Sequence, residues 1–359
     1  MSSASPHSDL FLSEIREQPR ALRAAAGGLA DQREALAQLA ELAAGDPTLI
    51  LTGMGSSFDA CLCTASALAR RGRLSTTINA AELLHFRLDA LGPDAVLVAI
   101  SQSGNSIELV RIAQALAARP VRPRLVTVTN GLDNPLAQVA DVPLDTCAGV
   151  ERGPSTKTFA ATFVLAEALV EALVGSAPVA EVCAAVAADA ERAAAAAEEL
   201  LAEPEALAGR MHAALAGHPS LVVVGRGTAR AAAEMAGLVL KEAAQVQAES
   251  LDTGEFRHGP LELAGPELGI AVIATEERTL ALDLGLIEEL AMAGAATVAI
   301  TTCEPAARAT ESIAIGPVDP ILAPAVAVIP LQLLAWRIAR EKGRDPGRFT
   351  LATKVTTRE

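Results

Sequence analysis

The chain has 359 residues, of which 51% are hydrophobic but only 2% aromatic, and its formal net charge at pH 7 is −14. This length suffices for two ordinary domains or one large one, and a core rich in Ala, Val and Leu is typical of helices packed on parallel strands. The acidic charge repels nucleic acid and anionic lipid, and the sequence shows neither a basic stripe nor an aromatic platform, so we expect no nucleic-acid or membrane partner.

Residues 1–10 lack the basic start and apolar run of a signal peptide. The longest apolar stretch, residues 321–336, is interrupted by two prolines and a glutamine, which favours a buried helix over a membrane span. The five cysteines are scattered, and Cys61 and Cys63 have no histidine nearby. We therefore expect a soluble cytoplasmic protein with reduced thiols and no metal site.

Residues 9–44 show apolar side chains at helical spacing with a break near Gly27 and Gly28, which predicts two helices. Short apolar runs then alternate with helical patterns, as in a parallel sheet covered by helices. The predicted strands cover residues 48–52, 75–78, 95–100, 124–128 and 142–144. The predicted helices among them cover residues 58–71, 106–118 and 160–174, and an Ala- and Glu-rich helix over 179–203 bridges the two halves.

The second half of the sequence repeats the first. Residues 221–228 resemble residues 49–56, and residues 269–275 resemble residues 95–101 in nearly the same register, which predicts a duplicated α/β unit. The copies differ after the strands, because the first carries serines where the second carries Glu276-Glu277. Carboxylates there would repel phosphate, so we expect only the first copy to bind an anion.

The most polar strand end is Ser101-Gln102-Ser103-Gly104-Asn105-Ser106, which follows a buried strand pattern and precedes a helix pattern at Ile107. The unpaired N–H groups and the dipole of a helix start favour a phosphate-sized anion. One N-cap residue would suffice to start the helix. The abundance of hydroxyl and amide side chains therefore predicts a phosphate cradle.

A second candidate loop, Gly53-Met54-Gly55-Ser56-Ser57, follows the first predicted strand, where ligands of open α/β sheets bind. It lacks the third glycine of a dinucleotide fingerprint, and the following residues offer no P-loop lysine. These features favour a phosphosugar over a nucleotide. A third polar loop at residues 152–158 is interpreted either as a helix cap or as a segment that closes the site.

Candidate acid–base groups lie in the second copy. Lys241 and Glu242 end a helix pattern that begins near Arg230, and His258 lies in a loop bounded by Gly and Pro. Among the five histidines, His258 is the best placed to transfer protons near neutral pH. From the pattern alone, a structural histidine and an ordinary helix-surface glutamate remain open interpretations.

Taken in order, five segments of this sequence resemble the sugar isomerase (SIS) family: residues 53–57, 101–106, 154–157, 238–242 and 255–260. The resemblance covers most of the chain and is close to the isomerase half of glucosamine-6-phosphate synthase and to SIS-type glucosamine-6-phosphate deaminases. It implies an α/β fold of two tandem SIS domains, each a flavodoxin-like three-layer αβα unit with a parallel sheet. We expect N-terminal helices over 1–44, SIS domains over 45–190 (phosphosugar binding) and 191–340 (catalytic), and a C-terminal tail over the site at 341–359.

The resemblance also implies roles for individual residues. Glu242 matches the base that moves a proton between C1 and C2, and His258 matches the histidine that opens the sugar ring. The family usually supplies that histidine from the neighbouring subunit, which implies a homodimer, and no metal or cofactor is implied. The expected substrate-binding residues are Gly55, Ser56, Ser57, Ser101, Gln102, Ser103 and Ser106 around the 6-phosphate, with Ser155 against the sugar hydroxyls.

Two positions depart from the synthase pattern. Val239 replaces a lysine three residues before the catalytic glutamate, and Thr353 stands where the synthase has its Schiff-base lysine. The next residue, Lys354, is implied to enter the site instead, as in many stand-alone SIS enzymes, with Thr353 beside the substrate. The sequence carries no glutaminase domain, so we expect no channelled ammonia.

Three functions are compatible with these residues. The leading hypothesis is an aldose–ketose isomerase or isomerising deaminase acting on a 6-phosphorylated 2-amino sugar. The runner-up is a dehydratase (a lyase) of N-acetylglucosamine 6-phosphate, which would use the same C2 proton removal but then expel the 3-hydroxyl and give a product lighter by one water. A non-catalytic phosphosugar sensor is the third, and the two copies with Glu242 and His258 disfavour it.

Overall fold

The computed structural model describes residues 10–175, 177–302 and 305–359. The expectations about a signal peptide at the N-terminus and about the Cys303 thiol therefore concern residues 1–9 and 303, which lie outside the described residues. The chain forms two compact units. We call residues 20–150, 157–191 and 352–359 the first-sheet unit, and the chain up to Pro19 together with residues 151–156 and 192–351 the second-sheet unit.

Each unit is built on one sheet of parallel strands. Over the described residues the strands are β1 (Thr48–Gly53), β2 (Ser75–Asn79), β3 (Ala95–Ser101), β4 (Arg124–Thr129), β5 (Val142–Asp145), β6 (Ser220–Gly225), β7 (Ala248–Asp252), β8 (Leu268–Ala274), β9 (Ala296–Thr301) and β10 (Glu311–Ala314). The strand orders are β2-β1-β3-β4-β5 and β7-β6-β8-β9-β10, the flavodoxin-like order in both. The identical order confirms the predicted α/β class and the predicted duplication.

Helices connect and cover the strands. They are α1 (Leu10–Arg16), α2 (Gln18–Gly28), α3 (Arg33–Ala43), α4 (Ser56–Arg70), α5 (Ala80–Glu82), α6 (Ile107–Ala117), α7 (Lys157–Val174), α8 (Val179–Leu200), α9 (Pro204–Leu215), α10 (Arg230–Ala244), α11 (Thr253–Phe256), α12 (Leu280–Met292), α13 (Ala323–Ala327) and α14 (Ile329–Glu341). Short 3₁₀ turns lie at Leu29–Gln32, Leu88–Ala90, Ala137–Val139, Gly227–Ala229, Pro260–Leu263 and Glu277–Thr279, and a π-helical turn at Leu83–Arg87.

Two helix predictions were wrong in the same way. Residues 10–44 form three helices rather than two, because α1 ends just before Pro19, a residue without an N–H to continue the helical ladder. The predicted single helix over 321–336 is likewise divided into α13 and α14 next to Pro330. Both of these helices are buried, as expected. In the described part of the chain no helix is long and apolar enough to cross a membrane.

The central strands position the site. Every residue of β3 and of β8 is buried, because helices cover both faces of each sheet and leave no solvated face for polar side chains. Polar side chains are therefore displayed where the strands end. Ser101 is the last residue of β3, and β1 lies directly beside β3 with Thr52 paired to Ala99.

Candidate functional site

The loop of residues 101–106 joins β3 to α6. Ser101 is 2% exposed, and its Oγ accepts the N–H of Gly104 at 3.2 Å, while Ser103 Oγ accepts the N–H of Asn105 at 3.1 Å. Ser106 is the N-cap residue of α6, yet its side chain makes no capping hydrogen bond. The hydroxyl of Ser106 is therefore not used to start the helix, which argues against the simple cap that the pattern left open.

Gly104 has to be glycine at this position. Its φ is +62°, and a Cβ atom there would lie 1.9 Å from Asn134 Oδ1. Asn134 is buried and lies against Gly104. Its amide donates to Thr129 Oγ1 at 3.2 Å and to the Gly131 carbonyl at 2.8 Å, which fixes the position of this side chain. Asn134 could not be identified from the sequence pattern, because only the folded sheet brings it against Gly104.

The glycine-rich loop lies at the same edge of the first sheet. A Cβ atom on Gly53 would lie 2.9 Å from the Phe58 nitrogen and 3.0 Å from the Ile100 carbonyl, so glycine allows α4 to begin tightly against β1 and β3. Gly55 has a φ of +51°. The structure thus brings Ser56 and Ser57, in the first turn of α4, to the edge at which β3 ends, and all of the predicted phosphate-binding residues share this edge.

The C-terminal tail lies on the start of α6. The Ile107 N–H donates to the Thr356 carbonyl at 3.1 Å, and the Glu359 carboxylate pairs with Arg111 and lies 3.1 Å from His85 Nε2. Lys354 is half-buried and lies two positions before Thr356, the residue that contacts the start of α6.

Thr353, by contrast, is exposed. Its hydroxyl donates to the carbonyl of Val355 within the tail, at 2.6 Å. Of the two predicted tail residues, Lys354 is therefore the less exposed.

The polar loop of residues 151–156 belongs to the second-sheet unit and is held by two carboxylates. Glu14 of α1 accepts the N–H groups of Arg152 and Gly153 at 2.7 and 3.0 Å. Glu151 accepts both the N–H and the hydroxyl of Thr156 at 2.8 and 3.1 Å. Because these backbone amides already donate to protein carboxylates, they are not available to bind a second anion. The loop also holds Ser155, which is buried.

Glu242 lies in the last turn of α10 and lines a pocket of about 350 Å³. The neighbouring Lys241 is exposed, so the two side chains differ as the acid–base hypothesis requires. The other residues that line this pocket are Ala243, Gln245, Arg344, Asp345, Arg348, Phe349 and Thr350. We refer to these eight residues as the Glu242 pocket.

The wall formed by residues 344–350 is tied to the end of α10. The Arg344 guanidinium donates to Gln245 Oε1, and Lys342 Nζ donates to the Ala244 carbonyl at 3.3 Å. The same wall meets the Ser155 loop, because a methyl group on Gly153 would lie 3.6 Å from the Gly347 Cα. Two segments that sequence analysis treated separately are thus neighbours within one unit.

His258 is exposed in the turn that follows α11. The backbone N–H of His258 donates to the Glu255 carbonyl at 2.9 Å. The neighbouring Arg257 forms a bidentate ion pair with Glu289, in which both N–O distances are 3.0 Å, and this pair holds the turn. Over the described residues of this chain, His258 is not among those that line the Glu242 pocket.

The second repeat fills its own cradle with a carboxylate. Thr228, which corresponds to Ser56 in the first repeat, donates its N–H and its hydroxyl to Glu276 Oε1 at 3.0 and 2.6 Å. Glu276 is 6% exposed and packs against Gly227, whose φ is +60°. Besides repelling phosphate by its charge, this carboxylate therefore occupies the hydrogen-bond donors of Thr228.

We expect Glu276→Ala to lower the free energy of unfolding by about 1–3 kcal/mol, because the buried donors of Thr228 lose their acceptor. Urea titration of the folded chain measures this loss. Glu277→Ala is the matched control, since Glu277 is exposed and surface substitutions usually stay within about 0.5 kcal/mol. Equal unfolding midpoints for the two variants would contradict the assignment.

The thiols of Cys61 and Cys147 are poor proton-transfer groups. Burial raises the pKa of the Cys147 thiol to about 11, with the nearby Asp145 adding to the shift. Burial also raises the pKa of the Cys61 thiol far above its usual range. Both thiols stay protonated at neutral pH, so these cysteines offer no thiolate for nucleophilic chemistry.

The repeats that the structure shows are matched by known proteins. A model of the SIS domain matches residues 42–172 and 214–339. The chain is 30% identical to the glutamine–fructose-6-phosphate aminotransferase (isomerizing) of Thermococcus kodakarensis, over 98% of this chain and 58% of that protein. The chain therefore spans somewhat more than half the length of the curated relatives it matches.

Solved structures share the fold. The C-terminal domain of glucosamine-fructose-6-phosphate aminotransferase from Francisella tularensis has a TM-score of 0.80 at 21% identity, covering 97% of this chain and 100% of that one. Tagatose-6-phosphate ketose/aldose isomerase from Escherichia coli has a TM-score of 0.79 at 20% identity, covering 98% of each chain. Because the family model matches both sheet-bearing repeats, this chain belongs to the SIS domain family.

Proposed function

We propose that this SIS protein is a phosphosugar isomerase-type enzyme, and that it acts on a 6-phosphorylated 2-amino sugar as an aldose–ketose isomerase or isomerising deaminase. The observation that carries the proposal is the Glu242 carboxylate, which lines an open pocket while its neighbour Lys241 lies on the surface. The name of the T. kodakarensis relative, which includes fructose 6-phosphate and an isomerisation, supports the same class.

The phosphate would bind at the carboxyl edge of the first sheet. Ser56 and Ser57 begin α4 there, and the loop of residues 101–106 precedes α6, so hydroxyls and helix-start amides converge on one edge. The second repeat supports this placement by analogy, since its corresponding Thr228 already holds an anionic group, the Glu276 carboxylate.

The chemistry begins with ring opening. His258 would move the proton of the C1 hydroxyl toward the ring oxygen, and the C1–O5 bond would break to give the open aldehyde. Glu242 would then remove the C2 proton, and the electrons of the C2–H bond would form a C1–C2 double bond while the carbonyl electrons move to O1.

Glu242 next returns its proton to C1. With an amino group at C2, the nitrogen lone pair forms the C2=N bond as C1 takes up the proton, and one N–H proton passes to O1. Addition of water to the carbon of this 2-imine then releases ammonia and leaves the ketose 6-phosphate. Without hydrolysis of the imine, the same proton transfer constitutes an isomerisation.

We propose that the active form is a homodimer in which His258 of one subunit serves Glu242 of the other. The exposure of His258, and its absence from the residues that line the Glu242 pocket within the described chain, support this assignment. A C₂ dimer would create two such shared sites by symmetry.

One observation favours dehydration as a second candidate. Val239 lies on the same helix face as Glu242 but is 0% exposed, so this face offers no amine beside the base. An enolate formed there from N-acetylglucosamine 6-phosphate would expel the 3-hydroxyl, which would take up the proton held by Glu242 and leave as water, and the product would be 2,3-unsaturated.

Incubation with glucosamine 6-phosphate and with its N-acetyl form separates these candidates. Release of ammonia with ketose 6-phosphate identifies the isomerising deaminase, because the ketose carbonyl at C2 replaces the amino nitrogen. An ultraviolet-absorbing product lighter by one water identifies the dehydratase. If both sugars are recovered unchanged, the proposed substrate class is wrong.

We expect the double variant Ser101→Ala/Ser103→Ala to raise KM at least about tenfold while kcat changes less. Each charge-assisted hydrogen bond to phosphate contributes about 1.5–3 kcal/mol, and loss of uniform binding energy appears in KM. Steady-state kinetics with the reactive sugar phosphate measures the effect. Ser66→Ala is the control, because this hydroxyl donates within α4 to the Leu62 carbonyl. An unchanged KM in the double variant would remove the loop from the site.

A further inference from the structure

The Glu242 pocket contains two arginines, and nothing in the acid–base scheme uses them. Arg344 and Arg348 lie on the wall formed by residues 344–350 and line the pocket together with Glu242. The pocket's other carboxylate, Asp345, accepts the Gly347 N–H at 3.0 Å within its own turn. The pocket therefore places cationic groups beside the proposed base.

The two arginines differ in how they are held. The Arg344 guanidinium donates to Gln245 Oε1 and thereby fixes the wall to the end of α10. The Arg348 backbone N–H closes a turn on the Asp345 carbonyl at 3.3 Å, which anchors the base of its side chain. Over residues 10–175, 177–302 and 305–359 no ion pair or hydrogen bond engages the exposed Arg348 guanidinium, so this cation is available to a ligand in the pocket.

The reaction creates a need for such a cation. Removal of the C2 proton by Glu242 places negative charge on O1, and a donor that meets this oxygen lowers the barrier because the charge is absent in the ground state. The helix face of Glu242 offers no lysine for this purpose, since position 239 is a buried valine. An arginine can both neutralise and hydrogen-bond an oxyanion.

We infer that Arg348 is a further catalytic residue, whose guanidinium stabilises the oxyanion formed at O1 as Glu242 removes the C2 proton. This inference rests on the proposed function. Arg344 is the positioning residue that keeps the wall, and with it Arg348, beside the pocket.

Kinetics give the first test. We expect Arg348→Gln to lower kcat by about 10–10²-fold with little change in KM. This loss is smaller than the roughly 10²–10³-fold loss in kcat that is usual when an oxyanion donor is removed, because the Arg348 side chain is exposed to solvent. Arg348→Lys should retain part of this activity, since it keeps the charge. Arg337→Gln is the matched control, because Arg337 lies on α14 in a surface ion pair with Glu341. A rise in KM alone would make Arg348 a ground-state phosphate ligand and overturn the inference.

Binding of stable analogues gives a test that needs no turnover. The acid 2-amino-2-deoxygluconate 6-phosphate carries a carboxylate at C1, whereas the corresponding alditol 6-phosphate carries a neutral alcohol there. By titration calorimetry we expect the parent protein and Arg337→Gln to bind the acid at least about tenfold more tightly, as a charged hydrogen bond requires. Arg348→Gln should bind the two analogues about equally.

The outcomes separate the inference from the proposed function. If Arg348→Gln retains the preference for the acid, or if the parent binds both analogues equally, the inference is wrong while the proposed function stands. If the parent binds neither analogue, the proposed substrate class and the inference fail together. Thermal unfolding of each variant verifies that the fold is intact.

Discussion

Glu242→Gln is expected to lose about 10²–10⁴-fold in turnover while still binding the sugar phosphate. Glutamine keeps the shape and the hydrogen-bonding reach of the side chain but cannot accept the C2 proton, and general-base catalysis contributes a factor of this size. Because Glu242 lines the pocket at the end of α10, the substitution removes the base without disturbing the buried face of the helix. Steady-state kinetics and calorimetric binding measure the two quantities.

Lys241→Gln is the matched control for this variant. Lys241 is exposed one residue earlier on the same helix, so we expect its removal to leave turnover within about twofold, as for surface substitutions generally. A Glu242→Gln protein that turns over like the parent would exclude proton abstraction by this residue under both the isomerase and the dehydratase candidates.

His258→Asn is expected to have the second-largest effect on turnover. We expect a loss of roughly 10²–10⁴-fold, the range that is typical when a general acid–base group is removed. If the site is shared between subunits, mixing His258→Asn with Glu242→Gln should restore activity, because a hybrid dimer contains one site with both native residues. Random exchange makes half of the dimers hybrid, so recovery should approach about one quarter of the parent activity, a consequence of two-fold symmetry.

Subunit exchange has to be shown independently, for example by native mass spectrometry of differently tagged chains. Exchange without recovery of activity would place Glu242 and His258 of one site within the same chain. Catalysis would then not require a homodimer, whereas the proposed role of Glu242 as the base would be unaffected.

Much of the fold could be predicted from local pattern. The buried strands of a parallel sheet read as short apolar runs, and the five predicted strands of the first repeat agree with β1 to β5 to within one residue at their ends. Helix ends were less predictable. Pro19 and Pro330 each divided a stretch that apolar spacing alone had joined.

The chemistry of the site was only partly accessible from sequence. The serine-rich loop of residues 101–106 could be identified from its composition, since its polar residues are contiguous along the chain. The residues that shape the site do not, because Asn134 behind Gly104, Glu14 beneath the Ser155 loop and Arg348 beside Glu242 are brought there by tertiary contacts. No spacing rule connects positions so far apart in one sequence.

Other expectations remain predictions. The boundaries at residues 44, 190 and 340 stay so, although the chain enters each compact unit more than once. The cytoplasmic location, the homodimer and the entry of Lys354 into the site also stay predictions. The contact of Thr356 with Ile107 at the start of α6 supports the placement of the tail near the phosphate loop.

Proton NMR in heavy water is the sharpest test of proton abstraction by Glu242, since it follows the C2 proton itself. Glucosamine 6-phosphate and its N-acetyl form are each incubated with the parent protein and with Glu242→Gln, and the C2 proton signal is recorded over time. The proton-abstraction mechanism predicts that the C2 proton signal of at least one of these sugars is lost with the parent protein, by exchange for deuterium or by conversion to product, and that this signal persists with Glu242→Gln. A C2 proton retained in both sugars with the parent protein, whether or not a product forms, would contradict it.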